Sequence, residues 1–120
     1  MWRTQITEAQ AKEILSAGDI PQEMTNVSAK VAVVLTQSWC PQWKAMDAYL
    51  SRMAEEKKPE TDDLVVFHLF YDLLPFSEDF MRFKETHYSN DKIPFVLYYR
   101  DGKLKETTNY VSESGFLSLF

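Results

Sequence analysis

One junction constrains the fold of this chain more than any other feature: a strand pattern runs into a cysteine and then into a helix pattern. Val31–Thr36 is apolar and β-branched, which is typical of a buried strand, and a strand is predicted over Lys30–Thr36. Lys44–Lys57 has a helical pattern, so Cys40, the only cysteine, falls where the strand has ended and the helix begins. Because the first backbone N–H groups of a helix favour negative charge, this placement favours a reactive thiolate.

The patterns around this junction predict alternating helices and strands. Thr7 and Gln10 form a capping-box pattern ahead of a helix over Glu8–Ala17, and Leu64–Tyr71 is a second apolar strand. Further elements are a helix over Phe76–Tyr88, strands over Phe95–Tyr99 and Lys103–Tyr110 with a turn at Asp101-Gly102, and a short helix over Ser112–Phe120. Since crossovers are right-handed, the first two strands should be parallel, and the hairpin should add antiparallel strands. The expected fold class is α/β, with a central mixed sheet flanked by helices on both faces.

Spacing within the predicted helices indicates which side chains face the core. Residues three and four apart share one face of a helix, so their apolar members should be buried. These are Met46, Tyr49, Leu50 and Met53 in one helix and Phe80, Met81 and Phe83 in another. His68, within the second strand, is expected to be a core or edge histidine whose hydrogen bonds are satisfied.

Length and charge narrow the class of protein. A chain of 120 residues suits a single domain, residues 1–120, with one core. The formal net charge of −5 argues against binding to nucleic acid, which needs a basic face. No apolar stretch approaches the length of a membrane span, and the N-terminus carries no apolar signal region. We therefore expect a cytoplasmic protein with no nucleic-acid or membrane partner.

The chemistry-bearing residues are few. His68 and His87 have no metal-ligand spacing with Cys40, and the three glycines are too widely spread for a phosphate-binding loop. Neither a metal nor another cofactor is expected.

Two short motifs carry a family resemblance that spans nearly the whole chain. The strand–Trp39-Cys40-Pro41–helix junction, with Ile93-Pro94 just before a strand and hairpin, resembles the thioredoxin fold family. The resemblance implies that Cys40 is the attacking cysteine and that Pro94 is a cis-proline facing it. Pro41 suits the first helical position because it has no N–H to satisfy.

The same resemblance implies a substrate groove beside the sulfur. An extended peptide could pair with the backbone of Ile93 by strand addition, while the two tryptophans flank the groove. The implied substrate-binding residues are Trp39, Pro41, Trp43, Ile93 and Pro94. Taken by itself, Trp43 is more typical of packing than of a surface that stacks on a ligand.

Two departures from the thioredoxin pattern leave two functions open. Trp43 stands where the resolving cysteine would be, and Val34 stands where thioredoxins carry a buried aspartate for proton transfer. The first function is thiol–disulfide exchange by Cys40 on a protein or peptide partner, with an external thiol such as glutathione as the resolving group. The alternative is a redox-inactive module that binds a protein or peptide. A peroxide-reacting cysteine is less supported, because Gln37 occupies the place of the threonine expected three residues before it.

Overall fold

The computed structural model describes residues 1–120 as one five-stranded sheet with helices on both faces. The strands are β1 (Trp2–Gln5), β2 (Lys30–Thr36), β3 (Leu64–Phe70), β4 (Phe95–Arg100) and β5 (Lys103–Thr108). The α-helices are α1 (Glu8–Ala17), α2 (Gln22–Thr25), α3 (Pro41–Glu56), α4 (Ser77–His87) and α5 (Glu113–Leu117). Two short 3-10 turns cover Pro59–Thr61 and Tyr71–Leu73.

The sheet is mixed, in the strand order β1-β3-β2-β4-β5. β3 pairs in parallel with both β1 and β2, whereas β4 runs antiparallel to β2 and β5 runs antiparallel to β4. The expected fold class is therefore confirmed. Because β2 and β3 are parallel neighbours, the chain leaves both strands at the same edge of the sheet.

Each face of the sheet has its own core. One core of 15 buried residues includes Phe80 and is covered by α1 and α4, and we call this the α1/α4 face. The other core of 12 buried residues includes Trp43 and Phe116 and is covered by α3 and α5, and we call this the α3/α5 face. β2 contributes buried side chains to both cores, because successive side chains of a strand point to opposite faces. This explains its unbroken apolar sequence.

The first helix forms where its sequence predicts. The Thr7 hydroxyl accepts from the Gln10 N–H at 3.1 Å, and the Gln10 side chain accepts from the Thr7 N–H at 2.9 Å. Gly18 ends the helix with a φ of 77°, a conformation in which glycine has no steric penalty. The capping box and the helix bounds are both confirmed.

Three features of the fold were not predicted. β1 is a strand because it pairs with β3, and α2 is a single turn after Pro21. Met81 was expected to face inward but is 38 % exposed, and α4 instead buries the lysine Lys84. No helix combines the length and the apolar character needed to cross a membrane.

Candidate functional site

Cys40 is the N-cap residue of α3, at the edge where β2 ends. Its backbone is extended, with φ −67° and ψ 116°, and Pro41 takes the first helical position. The Cys40 carbonyl accepts from the Lys44 N–H at 3.2 Å, which is the first helical hydrogen bond. The residue is buried, with only 4 % of it exposed.

A hydrogen-bond chain from the neighbouring strand holds the loop before Cys40. The Ser38 N–H and hydroxyl donate to the two carboxylate oxygens of Asp72, at 2.9 Å and 2.6 Å. The Trp39 indole N–H donates to the Gln37 side-chain oxygen at 2.7 Å, and the Gln37 amide donates to the Tyr71 hydroxyl at 3.2 Å. The loop is thereby tied to the 3-10 turn that follows β3, while the Trp39 ring remains 60 % exposed.

Sequence reasoning missed Tyr71 and Asp72 as parts of this site, and gave Gln37 no structural role. The available signal was the position of Tyr71 and Asp72 directly after β3. Because β3 runs parallel to β2, the residues that follow the two strands lie at the same end of the sheet. Burial raises the pKa of the Tyr71 phenol above its usual value.

The predicted proline lies at the same end of the sheet, on the other side of Cys40. The Ile93–Pro94 peptide bond is cis. β4 pairs Phe95 with Leu35, so Pro94 comes level with the end of β2. The Pro94 carbonyl accepts from the Asn109 side chain at 3.0 Å, while neither polar backbone group of Ile93 bonds to another backbone group. The backbone of Ile93 is thus unpaired within the sheet.

Trp43 does not flank the groove, as the resemblance implied. Only 3 % of the residue is exposed, in agreement with the packing role that the residue type favours. Its ring stacks on His68 with the centroids 5.6 Å apart, and the Arg3 guanidinium carbon lies 5.8 Å from the ring centroid. The reason is the position of the residue on α3: Trp43 faces the sheet, so its large apolar ring fills the α3/α5 core.

Beneath Trp43 the sheet carries polar atoms with no partner. His68 pairs in register with Val34, yet its Nδ1 is buried without a hydrogen bond. The expectation that this histidine is satisfied is therefore wrong. Burial, and then the charge of Arg3, lower the pKa of His68 below its usual value, so the imidazole stays neutral. The Thr36 hydroxyl, on the same face of the sheet, is also buried and unpaired.

Two of the predicted site residues, Trp39 and Pro41, are exposed, whereas Cys40 and Trp43 are buried. Cys40, Pro41 and Trp39 lie where β2 ends, with Ile93 and Pro94 on the β4 side. No group of three or more histidine, cysteine, aspartate or glutamate side chains is arranged to hold a metal ion.

No protein-family model matches the sequence, and no curated protein is significantly similar to it. Solved structures are similar in fold. Trxlp from Edwardsiella tarda has 17 % identity and a TM-score of 0.64, with 97 % of this chain and 95 % of that chain covered.

Two thioredoxins give comparable values. A point mutant of the Halobacterium salinarum thioredoxin has 14 % identity and a TM-score of 0.65. The Malassezia sympodialis thioredoxin has 13 % identity and a TM-score of 0.62. Each alignment covers 98 % of this chain and 86 % of the other. At these identities the likeness concerns the backbone, and the chain has the thioredoxin fold.

Proposed function

We propose that the protein carries out thiol–disulfide exchange through one cysteine, Cys40, with an external thiol in the role of the missing second cysteine. The observation that carries this proposal is the position of Cys40 as N-cap of the long helix α3, level with Pro94, the residue before β4. The unpaired N–H groups of the first helical turn favour a thiolate. The free backbone of Ile93 offers pairing to an extended segment of the partner.

The exchange balances without any bound cofactor. The Cys40 thiolate attacks one sulfur of a partner disulfide, forming a mixed disulfide and releasing the other sulfur as a thiolate, which takes up a proton. An external thiolate, such as that of glutathione, attacks the Cys40 sulfur and frees the reduced partner. A second external thiolate then attacks the sulfur of the first external group, which forms a disulfide between the two external thiols and releases the Cys40 thiolate. A compartment rich in reduced thiols, the cytoplasm, fits this requirement.

The decisive comparison is between the folded and the unfolded chain. Cys40 is the only cysteine, so dipyridyl disulfide reports on this thiol alone by releasing a coloured thione. We expect the native protein to react at neutral pH at least about tenfold faster than the chain in denaturant, since the helix terminus favours the thiolate. A reaction that begins only on unfolding would show a shielded thiol and contradict the proposal.

Turnover tests the second half of the cycle. With excess glutathione and a disulfide-linked peptide as substrate, the protein should accelerate reduction, and Cys40→Ser should abolish the acceleration. Equal rates for the two proteins would rule out a catalytic cysteine even if the thiol reacts.

The alternative function is a redox-inactive module that binds a protein or peptide. The burial of Cys40 and the replacement of a second thiol by the buried Trp43 favour it. In that case Cys40→Ser should retain partner binding, whereas Trp39→Ala should weaken it, because the Trp39 ring is exposed. Trp43→Ala cannot serve as a surface probe, since it would empty part of the core.

A further inference from the structure

A groove on the β3 side of Cys40 has no role in the exchange described so far. A cavity of about 140 Å³ opens between the loop before Cys40, the turn after β3 and the start of α4. It is lined by Gln37, Tyr71, Asp72, Ser77, Glu78 and Met81. Glu78 and Met81 also line a second depression of about 300 Å³ that continues along α4 to Thr86. We call these two cavities together the α4 groove.

One exposed apolar side chain, Met81, lines this groove, and two others belong to residues linked to its wall. Trp39, Leu73 and Met81 are 60 %, 67 % and 38 % exposed, and they come from three separate elements. Trp39 bonds to Gln37 in the cavity wall, and Leu73 follows Asp72 in the 3-10 turn. Large apolar side chains gathered around a concave surface are typical of an interaction site.

The charges of the groove are acidic and largely uncompensated. Glu78 and Glu85 line it, and neither carboxylate takes part in an ion pair. The one basic residue in its wall, Arg82, pairs with Asp79 at 3.3 Å. A partner with acidic side chains would meet like charges here, whereas lysine or arginine would find unpaired carboxylates.

We infer that the α4 groove binds a basic, partly apolar segment of the partner protein and so selects which disulfides reach Cys40. The inference rests on the proposed function and names its substrate class. The groove lies beside β3, on the opposite side of Cys40 from the Ile93–Pro94 edge next to β4. A bound segment can therefore pair with that edge while its basic residues occupy the groove.

Three peptides of equal length test the inference. Each carries one cysteine as a pyridyl disulfide next to leucine, and the remaining positions are lysine, glutamine or glutamate. Attack by Cys40 on the peptide sulfur forms the mixed disulfide and releases the thione, which is measured. We expect the lysine peptide to react roughly tenfold faster than the glutamate peptide at low ionic strength, with a smaller ratio in high salt.

Two charge-neutralising variants test whether the preference for the lysine peptide arises at the α4 groove. Glu78→Gln should reduce the lysine-to-glutamate ratio roughly threefold, which is the effect of one partly screened charge near the binding segment. Asp62→Asn makes the same charge change at the opposite end of β3 and should keep the wild-type ratio. Equal rates for all peptides, or the same reduction in both variants, would overturn the inference while leaving the exchange function intact.

Binding without chemistry separates the two proposals. In Cys40→Ser, a lysine peptide whose cysteine is replaced by serine is titrated while backbone amide chemical shifts are followed. We expect the amide chemical shifts of residues 37–39 and 77–86 to change even if Cys40 proves unreactive. Shifts confined to the Ile93–Pro94 edge, or none at all, would overturn it.

Discussion

The two faces of the sheet differ in whether their buried polar atoms have hydrogen-bond partners. Every buried side-chain polar atom that lacks a partner belongs to a residue of the α3/α5 face: Arg3, Thr36 or His68. On the α1/α4 face, by contrast, the ammonium of the fully buried Lys84 donates to the Lys92 carbonyl. The Tyr88 hydroxyl on that face likewise donates to Asp19 at 2.7 Å.

The unpaired polar atoms lie on the same face of the sheet as α3, the helix that Cys40 caps. An unpaired buried donor or acceptor costs about 1–3 kcal/mol, and such atoms tend to gather where a structure serves something besides stability. The face with unpaired atoms is the one beneath α3, whose N-cap is Cys40 and whose Trp43 covers His68. No buried side-chain polar atom of the α1/α4 face lacks a hydrogen-bond partner. This face contains one buried charge, that of Lys84, whose effect on stability can be measured.

Lys84→Met should give the largest effect and tests whether the α1/α4 face is optimised. Burial lowers the pKa of Lys84 from 10.5 to about 8, so the folded state bears a cost at neutral pH that the unfolded chain does not. We expect the variant to be more stable at pH 7 by about 2 kcal/mol, after allowing for the lost bond to Lys92.

The pH dependence of the free energy of unfolding shows whether the buried charge of Lys84 causes this difference in stability. Between pH 8 and 10.5 the unfolded chain holds a proton on Lys84 that the folded protein has released, so wild-type stability should rise across this range. The advantage of Lys84→Met should shrink over the same range in urea titrations. Lys44→Met, at an exposed position of α3, is the control and should show no such change. A variant less stable than wild type at pH 7 would mean that the Lys92 contact outweighs burial.

His68→Phe should have a smaller effect, on the α3/α5 face. It removes the unpaired Nδ1 and keeps a ring against Trp43, so stability at pH 7 should rise by about 1 kcal/mol. The lowered pKa of His68 means that, as the pH falls below about 6.5, the unfolded chain gains a proton that the folded protein resists. Wild type should therefore lose stability in acid through this residue, and the variant should lose less.

A matched pair of threonines gives the smallest and cleanest comparison. Thr36→Val removes a buried hydroxyl that has no partner and should stabilise the protein by about 0.5 kcal/mol. Thr61→Val removes a buried hydroxyl that donates to the Lys58 carbonyl at 2.9 Å and should destabilise by about 1 kcal/mol. Thermal unfolding of both variants measures the difference. The same sign for both would contradict the assignment of the Thr36 hydroxyl as unpaired.

Much of the fold could be predicted because its signals are local. The bounds of β2 and α1 match the predicted ones, since a run of buried β-branched residues and a capping box act within a few residues. β1 could not be found this way. Its four residues show no alternation and form a strand because β3 lies beside them.

For the site, the sequence by itself determined the order strand–Cys40–helix and the place of the thiol at a helix terminus, because neighbouring residues decide both. Only the tertiary structure decided that Trp43 is buried on His68, that Tyr71 and Asp72 brace the loop, and that an acidic groove opens beside it. These contacts join residues about 25 to 35 positions apart in the chain. They depend on which strands become neighbours and which face each helix covers, and no local pattern encodes either choice.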